Sequence, residues 1–108
     1  SPMELLLEAL AGCSSIDVLM ILEKQKARVD RYQVRVVGHR EEVGAAKPFT
    51  AVDMEFSVDT DALPAKVARA LQLSLEKYCS VAKTIERSVA IHYALVVNGQ
   101  PVEFPEKE

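Results

Sequence analysis

The chain has 108 residues, 49% of them hydrophobic, with a net charge of −3 and a pI near 5.4. That length holds one domain with one core. Its 13 Lys and Arg are scattered among 16 Asp and Glu, which argues against nucleic acid, because phosphates are bound by clustered basic side chains.

The longest uninterrupted apolar run, residues 18–22, falls short of the roughly 20 residues of a membrane span. No leader-like pattern precedes it, so a soluble, cytoplasmic protein with no membrane partner is expected. The chain opens without Met, directly on a helix cap, as the remainder of a longer chain would. Two cysteines 66 positions apart, without CxxC spacing, are too few for a secreted disulfide framework. Kept reduced inside a cell, they are either inert core residues or a pair that cycles.

The first element is a helix over residues 1 to about 27. Ser1 suits the N-cap and Pro2 the first helical position, where a missing N–H costs nothing. Leu6, Leu10 and Cys13 share one face with Met20 or Ile21. Leu5, Ala9, Gly12, Ile16 and Leu19 share a second, and Leu7, Ala11, Val18 and Leu22 a third. Apolar residues on nearly all sides predict a buried helix. Residues 23–28 are polar, and their Lys and Arg suit a helix C-terminus.

Tyr32, Val34 and Val36 then alternate with polar residues through a strand over 32–40, and residues 43–48, with Gly44 and Pro48, form a turn. Residues 49–58 give the clearest strand: Val52, Met54, Phe56 and Val58 point one way, Asp53, Glu55 and Ser57 the other. The two strands are expected to pair antiparallel. Residues 59–63 carry turn and cap chemistry, and Pro64 opens a second helix, in which Val67, Leu71, Leu75 and Tyr78 make one packing stripe. Cys79 falls at or just past its end. Ser80 is placed to cap a short third helix over 81–87. Val89, Ile91, Tyr93, Leu95 and Val97 alternate through a third strand ended by Asn98-Gly99, and residues 101–108 are polar enough to fray.

Three strands and one amphipathic helix cover one side of a seven-turn helix. An all-round apolar helix needs another surface, and the simplest supplier is a second copy, since two-fold dimers are the commonest oligomers. A homodimer is therefore expected.

The chemistry-bearing candidates centre on Cys13. It is either a small hydrophobe in a crowded crossing beside Ala9, Ala11 and Gly12 or a nucleophile, which requires a thiolate. Asp17, one turn on, leans back toward the sulfur and raises the thiol pKa unless a cation intervenes. A functional Cys13 thus calls for an Arg or Lys from elsewhere. Cys79 is either a helix-end core residue or the second sulfur of a pair, in which a sulfenic acid on one cysteine condenses with the other. His39 sits near a strand end and His92 opposite the Ile91/Tyr93 face. With no short zinc-type spacing, no metal site and no cofactor are expected. Glu4 and Glu8 read as solvated or partnered acids on one helical face, and Glu41-Glu42 as a solvated strand end.

Ser1-Pro2, the Leu-rich turn, Ala11-Gly12-Cys13, Ile16-Asp17-Val18 and the run from Leu73 through Tyr78-Cys79-Ser80-Val81 together resemble the OsmC/Ohr family of osmotically inducible and organic hydroperoxide resistance proteins, in its YhfA-like branch. The resemblance runs through essentially the whole chain. It implies an α+β fold as a single domain over residues 1–108: a long central helix on an antiparallel sheet, in an intertwined homodimer whose central helices pack together. It implies a thiol-dependent peroxidase in which Cys13 attacks a hydroperoxide, becomes a sulfenic acid and forms a disulfide with Cys79, reopened by an external dithiol reductant. The family's peroxidases steady the thiolate with an Arg from strands preceding this helix and a Glu just after the Ser/Asn-Pro. Those strands have no counterpart here, Met3 stands at the Glu position, and Glu4 lies about 100° further round. Where the family often has Pro after the second cysteine, this chain has Ser80. Two rival readings are a stress-response dimer binding a small apolar or electrophilic ligand at the subunit interface without turnover, and a structural protein with merely buried cysteines.

Overall fold

The computed structural model describes residues 1–106. Helix α1 spans Pro2–Lys24. Ser1 Oγ accepts the Glu4 N–H at 3.3 Å, the N-cap expected of it. The helix stops three residues short of expectation because Lys26 turns into the left-handed region (φ 58°). The Ala27 N–H closes back on the Leu22 carbonyl at 3.0 Å, and the chain leaves toward the sheet.

Strands β1 (Val29–Arg40) and β2 (Phe49–Thr60) form the expected antiparallel pair. Both run longer than their alternation signalled. Thr60 Oγ1 donates to the Arg28 carbonyl at 2.7 Å, and the Arg28 N–H donates to Asp61 Oδ1 at 2.7 Å, so side chains extend the ladder where hydrophobic periodicity has ended. After helix α2 (Pro64–Leu73), a π-helical segment (Ser74–Tyr78) and helix α3 (Ser80–Ile85), the chain returns as β3 (Ala90–Val97). This crossover lays β3 parallel to β2, with Val52 opposite Ile91 and Phe56 opposite Leu95. The sheet is therefore mixed, where an antiparallel one was expected.

Asn98 (φ 50°) and Gly99 (φ 81°) make the two-residue turn their sequence favours. They send a short β4 (Gln100–Val102) back along β3, giving the order β1-β2-β3-β4. The tail expected to fray is thus ordered through its first half. Phe104 stands edge-on to Tyr93 with ring centroids 4.8 Å apart, and Gln72 Nε2 donates to the Pro105 carbonyl at 2.8 Å. Lys107 and Glu108 lie outside the described residues.

The core lies between the inner sheet face (Val52, Met54, Phe56, Val58, Leu95, Val97) and helices α1 and α2. Here one expectation fails within the single chain. The helix α1 buries only the i, i+4 stripe Leu10, Ser14, Val18 and Leu22, because the sheet and α2 reach it from one side. Leu5, Leu6, Ile16, Leu19 and Met20 stay 38–62% exposed. The same composition gives α1 a mean hydropathy of 1.9 over 18 residues, long and apolar enough by that measure to cross a membrane. Counting uninterrupted apolar runs missed this, since Glu4, Glu8, Ser14-Ser15 and Asp17 divide the helix into short runs.

Candidate functional site

Cys13 is half-buried at the middle of α1, next to the buried Ser14, whose hydroxyl donates to the Leu10 carbonyl at 2.8 Å. Cys79 arrives on the crossover between β2 and β3. An uninterrupted α-helix would carry the stripe Val67, Leu71, Leu75 onto Tyr78, as the sequence pattern predicts. Instead the Cys79 N–H bonds the Ser74 carbonyl, five residues back, at 2.6 Å. An i→i+5 turn takes up one extra residue. Tyr78 is rotated out to 52% exposure and Cys79 takes the inward position with no exposed surface.

Cys79, rather than Ser80, caps α3: its Sγ accepts the Ala82 N–H at 3.4 Å. The fold brings the two cysteines together: Cys13 packs against the core cluster that holds Cys79, near enough to act on its thiol electrostatically. Burial, foremost, pushes the Cys79 thiol up to about 11; contact with Cys13 adds to this, while the Ala82 N–H pulls the other way. Cys79 therefore keeps its proton near neutral pH.

Asp17 does not simply overhang Cys13. Its Oδ2 accepts from Ser74 Oγ at 3.1 Å, and the same hydroxyl donates to the Ser14 carbonyl at 2.9 Å. Among the described residues no ion pair engages Asp17. The charge beside the thiol is thus met by a buried hydroxyl and not by the cation the sequence argument called for. Beside it opens a cavity of about 370 Å³ lined by Asp17, Met20, Ile21, Lys24, Leu73 and Tyr78.

Two tyrosines fasten the surroundings. Tyr32 on β1 donates to Ser15 Oγ at 2.8 Å, and burial pushes its hydroxyl up to about 12. Tyr93 on β3 donates to Glu76 Oε2 at 2.6 Å; burial, with the Glu76 carboxylate, raises it further. Ser74, Glu76 and Tyr93 escaped the sequence reading. The available signal was a polar Ser74 within an otherwise apolar helical face.

The remaining candidates stand apart from the sulfurs. His39 Nε2 pairs with Asp53 Oδ2 at 2.6 Å on the exposed sheet face. His92 lies on that same face, in register with Asp53. Glu4 meets the Ser1 amino group at 3.6 Å in an exposed pair, and Glu8, Glu41 and Glu42 are exposed.

A family model described as OsmC-like protein matches residues 1–94. Protein YhfA of Escherichia coli K12 is 44% identical over 98 residues, covering 90% of this chain and 72% of that protein. A hypothetical protein from Aquifex aeolicus superposes with TM-score 0.84 at 28% identity, over 98% of this chain and 76% of the other. The organic hydroperoxide resistance protein OhrB of Bacillus subtilis superposes with TM-score 0.62 at 16% identity, over 91% of this chain and 70% of its own, a likeness of fold.

Proposed function

The chain belongs to the OsmC-like protein family, and on that premise we propose that it is a cytoplasmic, homodimeric, thiol-dependent peroxidase that reduces organic hydroperoxides through Cys13 and Cys79. The observation that carries this reading is that two cysteines 66 positions apart pack into one core cluster, one half-buried and one fully enclosed, near enough for Cys13 to act on the Cys79 thiol. Cys13, the accessible sulfur, attacks as thiolate; the peroxide O–O bond breaks, the alcohol leaves with a proton, and Cys13 becomes a sulfenic acid. The Cys79 thiol condenses with it, water leaves, and an external dithiol reopens the disulfide. The neighbouring cavity, with Met20, Ile21 and Leu73 on its wall, suits an apolar peroxide tail.

The exposed face of α1 supports the homodimer. Leu5, Ala9, Gly12, Ile16 and Leu19 recur at alternating spacings of four and three and are all exposed, the pattern of a helix–helix seam. A Cβ added at Gly12 would meet nothing within 4 Å, leaving room for a second α1 to approach closely.

The test is stoichiometric. With an excess of cumene hydroperoxide over reduced protein, two thiols per chain are lost and a Cys13–Cys79 disulfide peptide forms; Cys13→Ser abolishes both. Unchanged thiols in the native protein, or undiminished oxidation of Cys79 in Cys13→Ser, overturn the proposal. One observation favours a second reading, a dimer that binds a small apolar or electrophilic ligand at the subunit interface: Asp17, one turn on from Cys13, is held by the Ser74 hydroxyl, and among the described residues no ion pair brings a cation to it. Ligand binding that survives Cys13→Ser, with no thiol loss, selects it.

A further inference from the structure

Ser74 ties together the two segments that carry the cysteines. Its side chain is fully buried, and its one hydroxyl proton faces two acceptors on α1, the Ser14 carbonyl at 2.9 Å and Asp17 Oδ2 at 3.1 Å. These residues lie one and four positions after Cys13. Its own carbonyl accepts the Cys79 N–H at 2.6 Å, closing the five-residue turn that points Cys79 inward. We propose that Ser74 is a positioning residue: its hydroxyl locks the π-helical segment onto α1 and so sets the approach of Cys79 Sγ to Cys13 for disulfide formation. The inference deepens the peroxidase reading and rests on it for the natural oxidant.

The physical reason lies in the turn itself. A π-helical turn has few intrinsic advantages over the α-helix it interrupts, and it persists where the surroundings hold it. Tyr93 holds its Glu76 side, and Ser74 holds its start, against the cysteine-bearing stretch of α1. Without the Ser74 hydroxyl nothing polar fixes that start to Ser14 and Asp17. Relaxation toward α-helical hydrogen bonding then rotates Cys79 away and restores Tyr78 to the inner face. The step affected is the condensation: the Cys13 S–O bond breaks, the S–S bond forms, and the Cys79 proton leaves with the hydroxide as water. The sulfenic sulfur is reduced and the thiol sulfur oxidised. When this step slows, a second hydroperoxide molecule oxidises the waiting sulfenic acid to sulfinic acid instead.

In Ser74→Ala treated with cumene hydroperoxide, Cys13 is expected to reach sulfenic acid at the native rate, read by dimedone capture. Disulfide formation slows about tenfold, the scale of one lost hydrogen bond to a charged acceptor, and sulfinic acid on Cys13 accumulates in mass spectra. Ser74→Thr, which keeps the hydroxyl, restores the partition toward disulfide. If Ser74→Ala fails to fold by circular dichroism, Asp17→Ala, which removes one acceptor at a partly exposed site, carries the test with a smaller slowing. Disulfide formation at the native rate in the folded variant, with no extra sulfinic acid, overturns the proposal. A parallel arm replaces hydroperoxide with oxidised glutathione, whose mixed disulfide on Cys13 is resolved by Cys79 with release of glutathione. Native protein inert to hydroperoxide refutes the peroxidase reading, while loss of Ser74 dependence in the glutathione arm refutes the positioning role.

Discussion

Replacing Ile16 by Ala puts the helix seam of α1 to the test. Ile16 leaves 62% of its surface in water in the single chain. Complete burial of an isoleucine contributes roughly 1.5–3 kcal/mol, so about 1–2 kcal/mol remains to be gained when a second α1 covers it. A two-fold interface uses the residue twice. After allowance for the Cβ that alanine keeps, the substitution costs dimerisation about 1.5–3 kcal/mol, a rise in the dimer Kd of roughly 10- to 150-fold. Sedimentation velocity across a dilution series reads this directly, and Ile16→Asp is expected to leave monomer throughout. Val43, 61% exposed at the β1–β2 turn, is the control: Val43→Ala removes comparable apolar surface and leaves the Kd unchanged. A native protein that sediments as monomer at tens of micromolar, or an Ile16→Ala Kd equal to the native one, refutes the reasoning.

Two further outcomes follow from hydrogen bonds and titration. Burial raises Cys79 to about 11 and Tyr32 to about 12, so between their unfolded and folded values the native state holds more protons than the unfolded chain. Stability is then full below about pH 9 and falls as pH rises toward 11 and beyond; urea midpoints from pH 8 to 11 in Cys79→Ala should fall less steeply than in the native protein. Asn98 clamps Thr60 from both sides, its Oδ1 accepting the Thr60 N–H at 2.9 Å and its Nδ2 donating to the Thr60 carbonyl at 3.0 Å. Asn98→Gly keeps the left-handed turn but loses both bonds, for about 1–3 kcal/mol of stability by urea denaturation; an unchanged midpoint contradicts the clamp.

The strands were legible because one face is buried and the other wet: Val52, Met54, Phe56 and Val58 could be assigned inward by alternation alone. The helix α1 was legible in existence but not in orientation. With leucine, isoleucine or alanine at almost every angle its sequence has no preferred phase, and the stripe that packs in this chain includes Ser14, a polar residue satisfied within its own helix. The π-helical turn left no trace in the pattern, since Val67, Leu71, Leu75 and Tyr78 fit an α-helix well. What selects the wider turn is tertiary: Ser74 on α1 and Glu76 on Tyr93. The return strand β4 was too short to show a period, and only the Asn98-Gly99 turn announced it. The cysteine pair was named from its neighbourhoods, but its contact depends on that same unseen turn. The hydroxyl that engages Asp17 lies 57 positions away, beyond the reach of local reasoning.

The parallel pairing of β2 and β3 has a consequence for how the chain folds. The β1–β2 hairpin joins neighbours in sequence and can form early, whereas Val52 meets Ile91, 39 positions further on, only after the intervening chain has been gathered in. Such long loops slow the search for the native state. The two sulfurs lie on either side of this late event, one on the first helix and one on the crossover. A nascent or denatured chain has no means of holding them together, so their joint redox behaviour belongs to the finished fold, and reduction potentials measured in denaturant will not describe the protein at work.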